Sequence, residues 1–137
     1  MVLPEINHCL VCEDIRLERR NLASFMGVYG LTPHVGIKIR DFKLHVAFCV
    51  VFFGPPIEGK VEIRLEFRTA DGARIGSTTI PEHNEQTFSK ESACTFAFRV
   101  HAIFPIPAPY TLVLSAGGSE FFKDTLQVGL AEDSDFL

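Results

Sequence analysis

The stretch "KVEIRLEFR", from Lys60 to Arg68, alternates strictly between apolar and charged residues. Successive side chains of an extended strand point to opposite faces, so this alternation places every apolar side chain of the stretch on one face. Those side chains are Val61, Ile63, Leu65 and Phe67. A face of apolar residues backed by a face of charged ones is typical of a strand that is buried on one side and wet on the other. The stretch therefore predicts a half-buried β-strand.

The same reading extends toward the C-terminus. Directly after the first stretch, Asp71-Gly72 supplies the residues of a tight hairpin turn, and Ile75 to Ile80 reads as the returning strand. The segment "CTFAFRVHAIF", residues 94–104, again alternates and ends at a group of prolines. The segment "YTLVLSAGGSEFFKDTLQV", residues 110–128, reads as strand, Gly-Gly-Ser turn and strand. These segments predict a succession of antiparallel hairpins.

Four earlier segments complete the expected set of about nine strands: His8 to Glu18, Ala23 to Tyr29, Val35 to Arg40 and Lys43 to Phe53. No window has the caps and periodicity of a stable helix. We therefore predict an all-β fold, an antiparallel immunoglobulin-like β-sandwich of eight or nine strands. Residues 1–129 form its single domain, and residues 130–137 form an acidic C-terminal tail. The 13 phenylalanines, with no tryptophan, are expected to fill the layer between the sheets. The polar stretch from Pro81 to Ser92 is expected to be a surface loop.

The first hairpin contains one residue that does not fit its pattern. If Val11, Ile15 and Leu17 face the core, Glu13 points inward with them. Either a bulge near Glu13 shifts the strand's register, or Glu13 is buried beside a partner. The following Arg19-Arg20-Asn21 is expected to form an exposed turn.

This hairpin also carries a resemblance. "CEDIRLERRNLASFMGVYG", residues 12–30, with its acidic-Asp-apolar-Arg strand and its Gly-Val-Tyr ending, resembles the start of a family of small bacterial proteins of unknown function. The closing "PAPYTLVLSAGGSEFFKDTLQV", residues 107–128, is similar to the last hairpin of those proteins and of immunoglobulin-like sandwiches generally. The resemblance supports the fold and implies no catalytic or binding residue.

Composition and charge restrict the classes of partner. The chain has 137 residues, the usual size of one domain, and a formal net charge of -4, which argues against a nucleic-acid partner. The N-terminal residues lack the basic segment and apolar core of a secretory signal. The longest apolar run, Val46 to Phe53, is far shorter than the roughly 20 residues of a membrane-spanning helix. We expect a cytoplasmic protein that does not bind a membrane.

The reactive residue types do not gather in a recognisable site. Cys9 and Cys12 have the spacing of many zinc sites, but on a strand they point to opposite faces about 10 Å apart. Cys49 and Cys94 supply no second pair, and the histidines show no ligand spacing. No nucleophile elbow or phosphate-binding glycine loop is present. We therefore expect no catalytic residue, no metal and no cofactor, and hence a protein that is not an enzyme.

One strand instead indicates a protein partner. "HVAFCVVFFG", residues 45–54, is apolar on both alternating faces, whereas a strand of an antiparallel sandwich normally leaves one face wet. The second face is covered either by another part of the same chain or by another subunit, most simply a second copy related by a two-fold axis. The acidic tail is either disordered or docks through its terminal aromatic residue. The residues expected to contact a partner are Phe48, Val50, Val51, Phe52, Phe53, Phe136 and Leu137.

The sequence thus favours a non-catalytic protein-interaction module, a homodimer in the first instance, with no identified partner beyond itself. The alternative is a sandwich that binds a small ligand or a carbohydrate through loop residues such as those between Pro81 and Ser92. That alternative expects an exposed aromatic side chain at a loop tip, and the candidates are Tyr29, Phe88 and Tyr110.

Overall fold

A computed structural model of the chain describes residues 3–18, 22–28, 34–37, 44–73, 84–91, 93–104, 106 and 108–130. Within these ranges the chain forms nine β-strands. They are β1 (His8–Leu17), β2 (Ala23–Val28), β3 (His34–Ile37), β4 (Leu44–Gly54), β5 (Gly59–Arg68), β6 (Asn84–Phe88), β7 (Cys94–Phe104), β8 (Ala108–Ala116) and β9 (Ser119–Leu130). The described part of the chain contains no helix of the length and apolar character needed to span a bilayer.

The strands form the two sheets of a β-sandwich, which confirms the predicted all-β sandwich fold. One sheet has the order β2-β1-β4-β7, and the other has the order β3-β9-β8-β5-β6. Neighbouring strands are antiparallel, with the exception of β3, which pairs parallel to β9 from His34 opposite Gln127 to Ile37 opposite Leu130. β4 lies in the interior of the four-stranded sheet, because it is paired with β1 on one side and with β7 on the other. Its ladder with β7 is the longest in the described structure.

Phenylalanine fills the layer between the sheets, as the composition predicts. Phe48 of the four-stranded sheet packs on Phe67 of the other sheet with ring centroids 5.9 Å apart. Phe52 packs in the same way on Phe122 at 5.8 Å, edge to face. The alternation of β5 is also confirmed, because its apolar residues lie in this core while Lys60 and Glu62 are exposed. Burying each large apolar side chain contributes roughly 1.5 to 3 kcal/mol, so this layer provides the main driving force for the fold.

The predicted turns are present where the structure describes them. Gly117 and Gly118 join β8 to β9 with φ values of 56° and 80°. Positive φ at both central residues is the requirement of a type I′ hairpin turn, and glycine meets it without strain. At the end of β5, Gly72 has a φ of 90° and its N–H donates to the carbonyl oxygen of Thr69 at 2.9 Å. The strand predicted for Ile75 to Ile80 lies outside the described residues.

Replacing Gly72 with valine is expected to lower the free energy of unfolding by about 1 to 2 kcal/mol. The space around Gly72 is open, so the cost comes from forcing a β-branched residue into positive φ and not from a clash. Urea denaturation monitored by circular dichroism measures the change. Gly72→Asn is the control, because asparagine tolerates this conformation, and it should cost clearly less. Equal stability of the valine variant and the wild type would contradict the assigned turn.

Two local predictions are wrong. The polar stretch between Pro81 and Ser92 is not simply a loop, because Asn84–Phe88 forms β6 and pairs with the start of β5. Phe88 is buried against Phe96, with ring centroids 5.8 Å apart. In β1, Val11 faces the core as predicted, but Ile15 packs on the opposite side of the sheet.

The alternation of side chains in β1 breaks at Glu13, the residue that did not fit the sequence pattern. Cys12 and Ile15, three positions apart, belong to the same cluster, although an uninterrupted strand would place them on opposite faces. The pairing of β1 with β4 ends at Cys12, and Glu13 is exposed. Of the two possibilities for Glu13, burial beside a partner is therefore excluded, and a local irregularity of the strand remains.

Candidate functional site

The outer face of the four-stranded sheet carries a second apolar cluster, separate from the core between the sheets. We call it the apolar outer face. It contains Leu10, Cys12, Ile15, Phe25, Cys49, Val51, Phe53 and Ala97. These residues come from all four strands of the sheet, with the β4 residues between those of β1 and β7. The doubly apolar sequence of β4 is thus explained, because Phe48, Val50 and Phe52 enter the core while Cys49, Val51 and Phe53 line this face.

Most of the side chains predicted to contact a partner are buried within the chain itself. Phe48, Val50 and Phe52 are core residues with 2%, 0% and 0% exposure, so they offer no surface to a partner. Val51 lies on the apolar outer face and is buried too. Phe53 is half-buried on that face and remains accessible. Phe136 and Leu137 lie outside the described residues.

Side chains of the same chain cover the centre of the apolar outer face, and its margin is open. Phe25 packs edge-on against Phe53, with centroids 6.0 Å apart, and His8 lies 5.9 Å from the same ring. Both phenylalanines stay partly accessible. The open margin is therefore formed by Phe25 of β2 and Phe53 at the end of β4.

An ion pair between β7 and β1 lies on the apolar outer face, away from its open margin. Arg99 of β7 pairs with Asp14 of β1 at 2.5 Å, and its second terminal nitrogen donates to the carbonyl oxygen of Ile15 at 3.0 Å. The same guanidinium lies 3.8 Å from the sulfur of Cys49. Hydrogen bonds from the Arg99 guanidinium and from the Ile15 N–H hold the pKa of the Asp14 carboxyl below its ordinary value. Arg99 thus ties β1 to β7 across β4.

The carboxyl of Asp14 is expected to titrate below pH 3.8, its ordinary value, in the native protein. A lowered folded-state pKa means that the interaction stabilises the fold above the unfolded pKa, and that this contribution disappears as pH falls through the folded pKa. Carboxyl carbon shifts followed by NMR between pH 2 and 6 measure the midpoint. Arg99→Gln should move the Asp14 midpoint upward and leave that of Asp71, which is held low by its own turn, unchanged. An unmoved Asp14 midpoint would contradict the ion pair.

The outer face of the five-stranded sheet has the opposite character. Arg68 of β5 pairs with Glu66 on its own strand and with Glu120 of β9 at 2.6 Å. Lys123 completes the chain of charges by pairing with Glu120 at 2.9 Å. Val113 of β8 is fully buried although its strand neighbours point into the core, so side chains of this outer face cover it. A charged network of this kind is typical of a surface that stays in water.

A small apolar cavity of about 340 Å³ lies at one end of the sandwich. The turn after β5 and the start of β8 form its walls, with Thr69, Asp71, Ile106, Pro109 and Tyr110 among the lining residues. The Tyr110 hydroxyl donates a hydrogen bond to the carbonyl oxygen of Ile106 and lies 3.4 Å from its backbone nitrogen. Of the aromatic residues considered for ligand binding, Tyr110 and Phe88 are both buried, so neither is the expected exposed aromatic of a loop tip. Tyr110 also lines this cavity, and Tyr29 lies outside the described residues.

The cysteines are placed as the strand geometry predicts. Cys9 belongs to the core and Cys12 to the apolar outer face, so their thiols point to opposite sides of the sheet. Among the described residues, no group of three or more His, Cys, Asp or Glu side chains is arranged to hold a metal ion. Sequence reasoning missed one contact, however. Cys12 lies directly opposite Cys49 on the neighbouring strand, a contact that depends on strand order and register.

Comparison with known proteins adds no relative. No protein-family model matches the chain, and no curated protein matches it significantly.

Proposed function

We propose that this protein is a non-catalytic interaction module that self-associates through the apolar outer face of its four-stranded sheet. The contrast between the two outer faces carries the proposal. One is crossed by ion pairs and polar side chains, and the other carries an apolar cluster in which Phe25 and Phe53 stay partly accessible. Apolar side chains grouped on one face of a small domain mark a surface that binds a protein.

The occupant that best fits this face is a second copy of the chain. Two identical sheet faces can pack in layers about 10 Å apart. A two-fold axis then places the apolar outer face of one copy against the same face of the other copy. Phe25 of β2 contacts Phe53 at the end of β4, so the proposed contact extends beyond a single strand. Arg99 and Asp14 satisfy each other's charge at the opposite side of the face. They therefore add no unpaired charge to such a contact.

We further propose that the sandwich is immunoglobulin-like. In support, β8 lies between β9 and β5 with β6 outside β5, the order of strands G, F, C and C′ in variable-type domains. The Tyr110 hydroxyl, near the start of β8, binds the backbone of Ile106 four residues earlier, as in a tyrosine corner. A bacterial origin, drawn from the resemblance of residues 12–30, and a cytoplasmic location complete the proposal.

Light scattering of the wild type across about 1 to 100 µM tests self-association. The chain mass is 15.3 kDa, and the expected result is a mass of twice that value at the upper concentrations. High salt should leave the dimer intact, since an apolar contact is not screened. A monomer mass at every concentration would refute the homodimer.

A second candidate, binding of a small apolar ligand, rests on the cavity beside Tyr110. Its volume lies within the range of small-molecule sites, and its walls are mainly apolar. An environment-sensitive apolar dye is the probe. Saturable binding that is lost in Ala108→Phe, which fills the cavity, and kept in Phe53→Glu would support this candidate. Binding lost only in Phe53→Glu would assign the dye to the apolar outer face and eliminate the cavity as a ligand site.

A further inference from the structure

Two of the four free cysteines form a cross-strand pair on the apolar outer face. Cys12 of β1 is directly opposite Cys49 of β4 in the antiparallel ladder. Directly opposed residues have Cα atoms about 4.5 or 5.5 Å apart, and both separations fall in the range of about 4.4 to 6.8 Å that a disulfide requires. Both side chains belong to the same cluster, so they lie on the same face of the sheet. The backbone therefore presents this pair in a geometry that a disulfide can adopt.

The other two cysteines offer no comparable pair. Cys9 points into the core from β1, and Cys94 enters the core from β7 opposite Gly54. Neither lies opposite another cysteine in any described ladder. Position along the strand thus distinguishes Cys12 and Cys49 from the remaining thiols.

The surroundings of the pair determine how it reacts. Both thiols are buried, with exposures of 0% and 1%, and burial raises the pKa of Cys12 to about 11 and raises that of Cys49. The charged groups that face them are Asp14 of β1, which raises both pKa values, and Arg99 of β7, which lowers them. Arg99 lies 3.8 Å from the Cys49 sulfur, so Cys49 is the better stabilised thiolate of the two. The Arg99 side chain beside it is 66% exposed, so a single side chain separates the Cys49 sulfur from water.

We propose that Cys12 and Cys49 form an oxidation-sensitive dithiol that closes to an intramolecular disulfide on reaction with a peroxide. A small uncharged oxidant suits the site, because a buried pair beneath one side chain excludes bulky thiol reagents. This proposal does not depend on self-association.

The reaction proceeds in two balanced steps. The Cys49 thiol first loses its proton to solvent. The thiolate then attacks one oxygen of hydrogen peroxide, the O–O bond breaks, and the departing hydroxide takes up a proton as water, so Cys49 becomes a sulfenic acid. The Cys12 sulfur then attacks the Cys49 sulfur, the S–S bond forms, and the S–O bond breaks. The leaving hydroxide takes the Cys12 proton as water. Overall, two thiols and one peroxide give one disulfide and two waters.

The disulfide would fix β1 to β4 and so stabilise the N-terminal hairpin on the sheet. The cross-link closes a long segment that includes β2 and β3, and long closed loops gain most from a cross-link. The expected consequence is a melting temperature raised by about 10 °C in the oxidised protein.

The experiment treats the reduced wild-type chain with hydrogen peroxide, alkylates the remaining thiols, and maps peptides by non-reducing mass spectrometry. The expected product is a peptide that joins Cys12 to Cys49 within a chain of monomer size on a non-reducing gel. Its formation rate should rise steadily with pH between pH 7 and 9, because only the thiolate reacts and burial raises the pKa of Cys49.

Matched variants complete the test. Cys94→Ala should form the same cross-link, and Cys49→Ala should form none and show no rise in melting temperature. Absence of the Cys12–Cys49 peptide from oxidised wild type, a link to Cys9, or a link between two chains would overturn the proposal. If Cys49→Ala does not fold, the wild-type peptide map alone decides. Self-association is measured separately, so its failure leaves this result interpretable.

Discussion

Replacing Val50 with glutamate is expected to abolish folding. Val50 is fully buried in the core, opposite Val11 on one neighbouring strand and Phe98 on the other. An ionised carboxylate placed among apolar side chains has neither water nor a counter-ion, and its transfer costs several kcal/mol even when it becomes protonated. A domain of this size has about 5 to 15 kcal/mol of stability in total. Circular dichroism should show loss of the β-sheet signal at 25 °C.

Phe53→Glu is the matched control, because it adds the same group to the same strand three residues later. Phe53 lies half-buried on the apolar outer face, where the new carboxylate can reach water. This variant should retain the sheet signal and a cooperative thermal transition. A folded Val50→Glu variant with wild-type stability would contradict the assignment of the two faces of β4.

Phe52→Ala is expected to lower the free energy of unfolding by about 3 to 5 kcal/mol. The Phe52 ring stacks on Phe96 at 5.1 Å and meets Phe98 and Phe122 edge-on at 6.2 and 5.8 Å. Truncation removes the transfer energy of the ring and leaves a cavity bounded by three aromatic side chains that belong to both sheets. Urea denaturation at equilibrium measures the loss.

The comparison variant is Phe121→Ala. Phe121 lies at the irregularity where the β8 and β9 register shifts, and it is only partly buried against the same core. Its truncation should cost less than half as much as that of Phe52. Similar losses for the two variants would mean that Phe52 does not hold the central position that its ring contacts indicate.

Local alternation was enough to predict β5 and β7, because one face of each enters the core and the other carries mostly polar side chains. It failed for β6, whose sequence "NEQTF" has little apolar content and whose strand conformation depends on backbone pairing with β5. It failed also for Ile15. Strict alternation from Val11 places Ile15 in the core, whereas the pairing of β1 with β4 ends at Cys12 and Ile15 packs on the apolar outer face. Local propensity predicts that a segment forms a strand, but it does not predict where the pairing of that strand with its neighbour ends.

The candidate site was predictable only in outline. The two apolar faces of β4 are evident from "HVAFCVVFFG", yet the sequence does not say which face belongs to the core, so four core or buried residues were assigned to a partner. The Arg99 contacts with Asp14 and Cys49, and the Cys12–Cys49 pair, join strands far apart in the chain. Such contacts depend on strand order and register, which local patterns do not specify.

The measurement that tests self-association most directly is light scattering of Phe53→Glu beside Gln127→Glu at the same concentration. Gln127 is exposed on β9 of the five-stranded sheet, so its substitution adds the same negative charge away from the apolar outer face. We predict a folded monomer of 15.3 kDa for Phe53→Glu and a dimer of twice that mass for Gln127→Glu and the wild type. A folded Phe53→Glu variant that remains dimeric, or a wild type that is monomeric throughout, would contradict the proposal that this face is the interface.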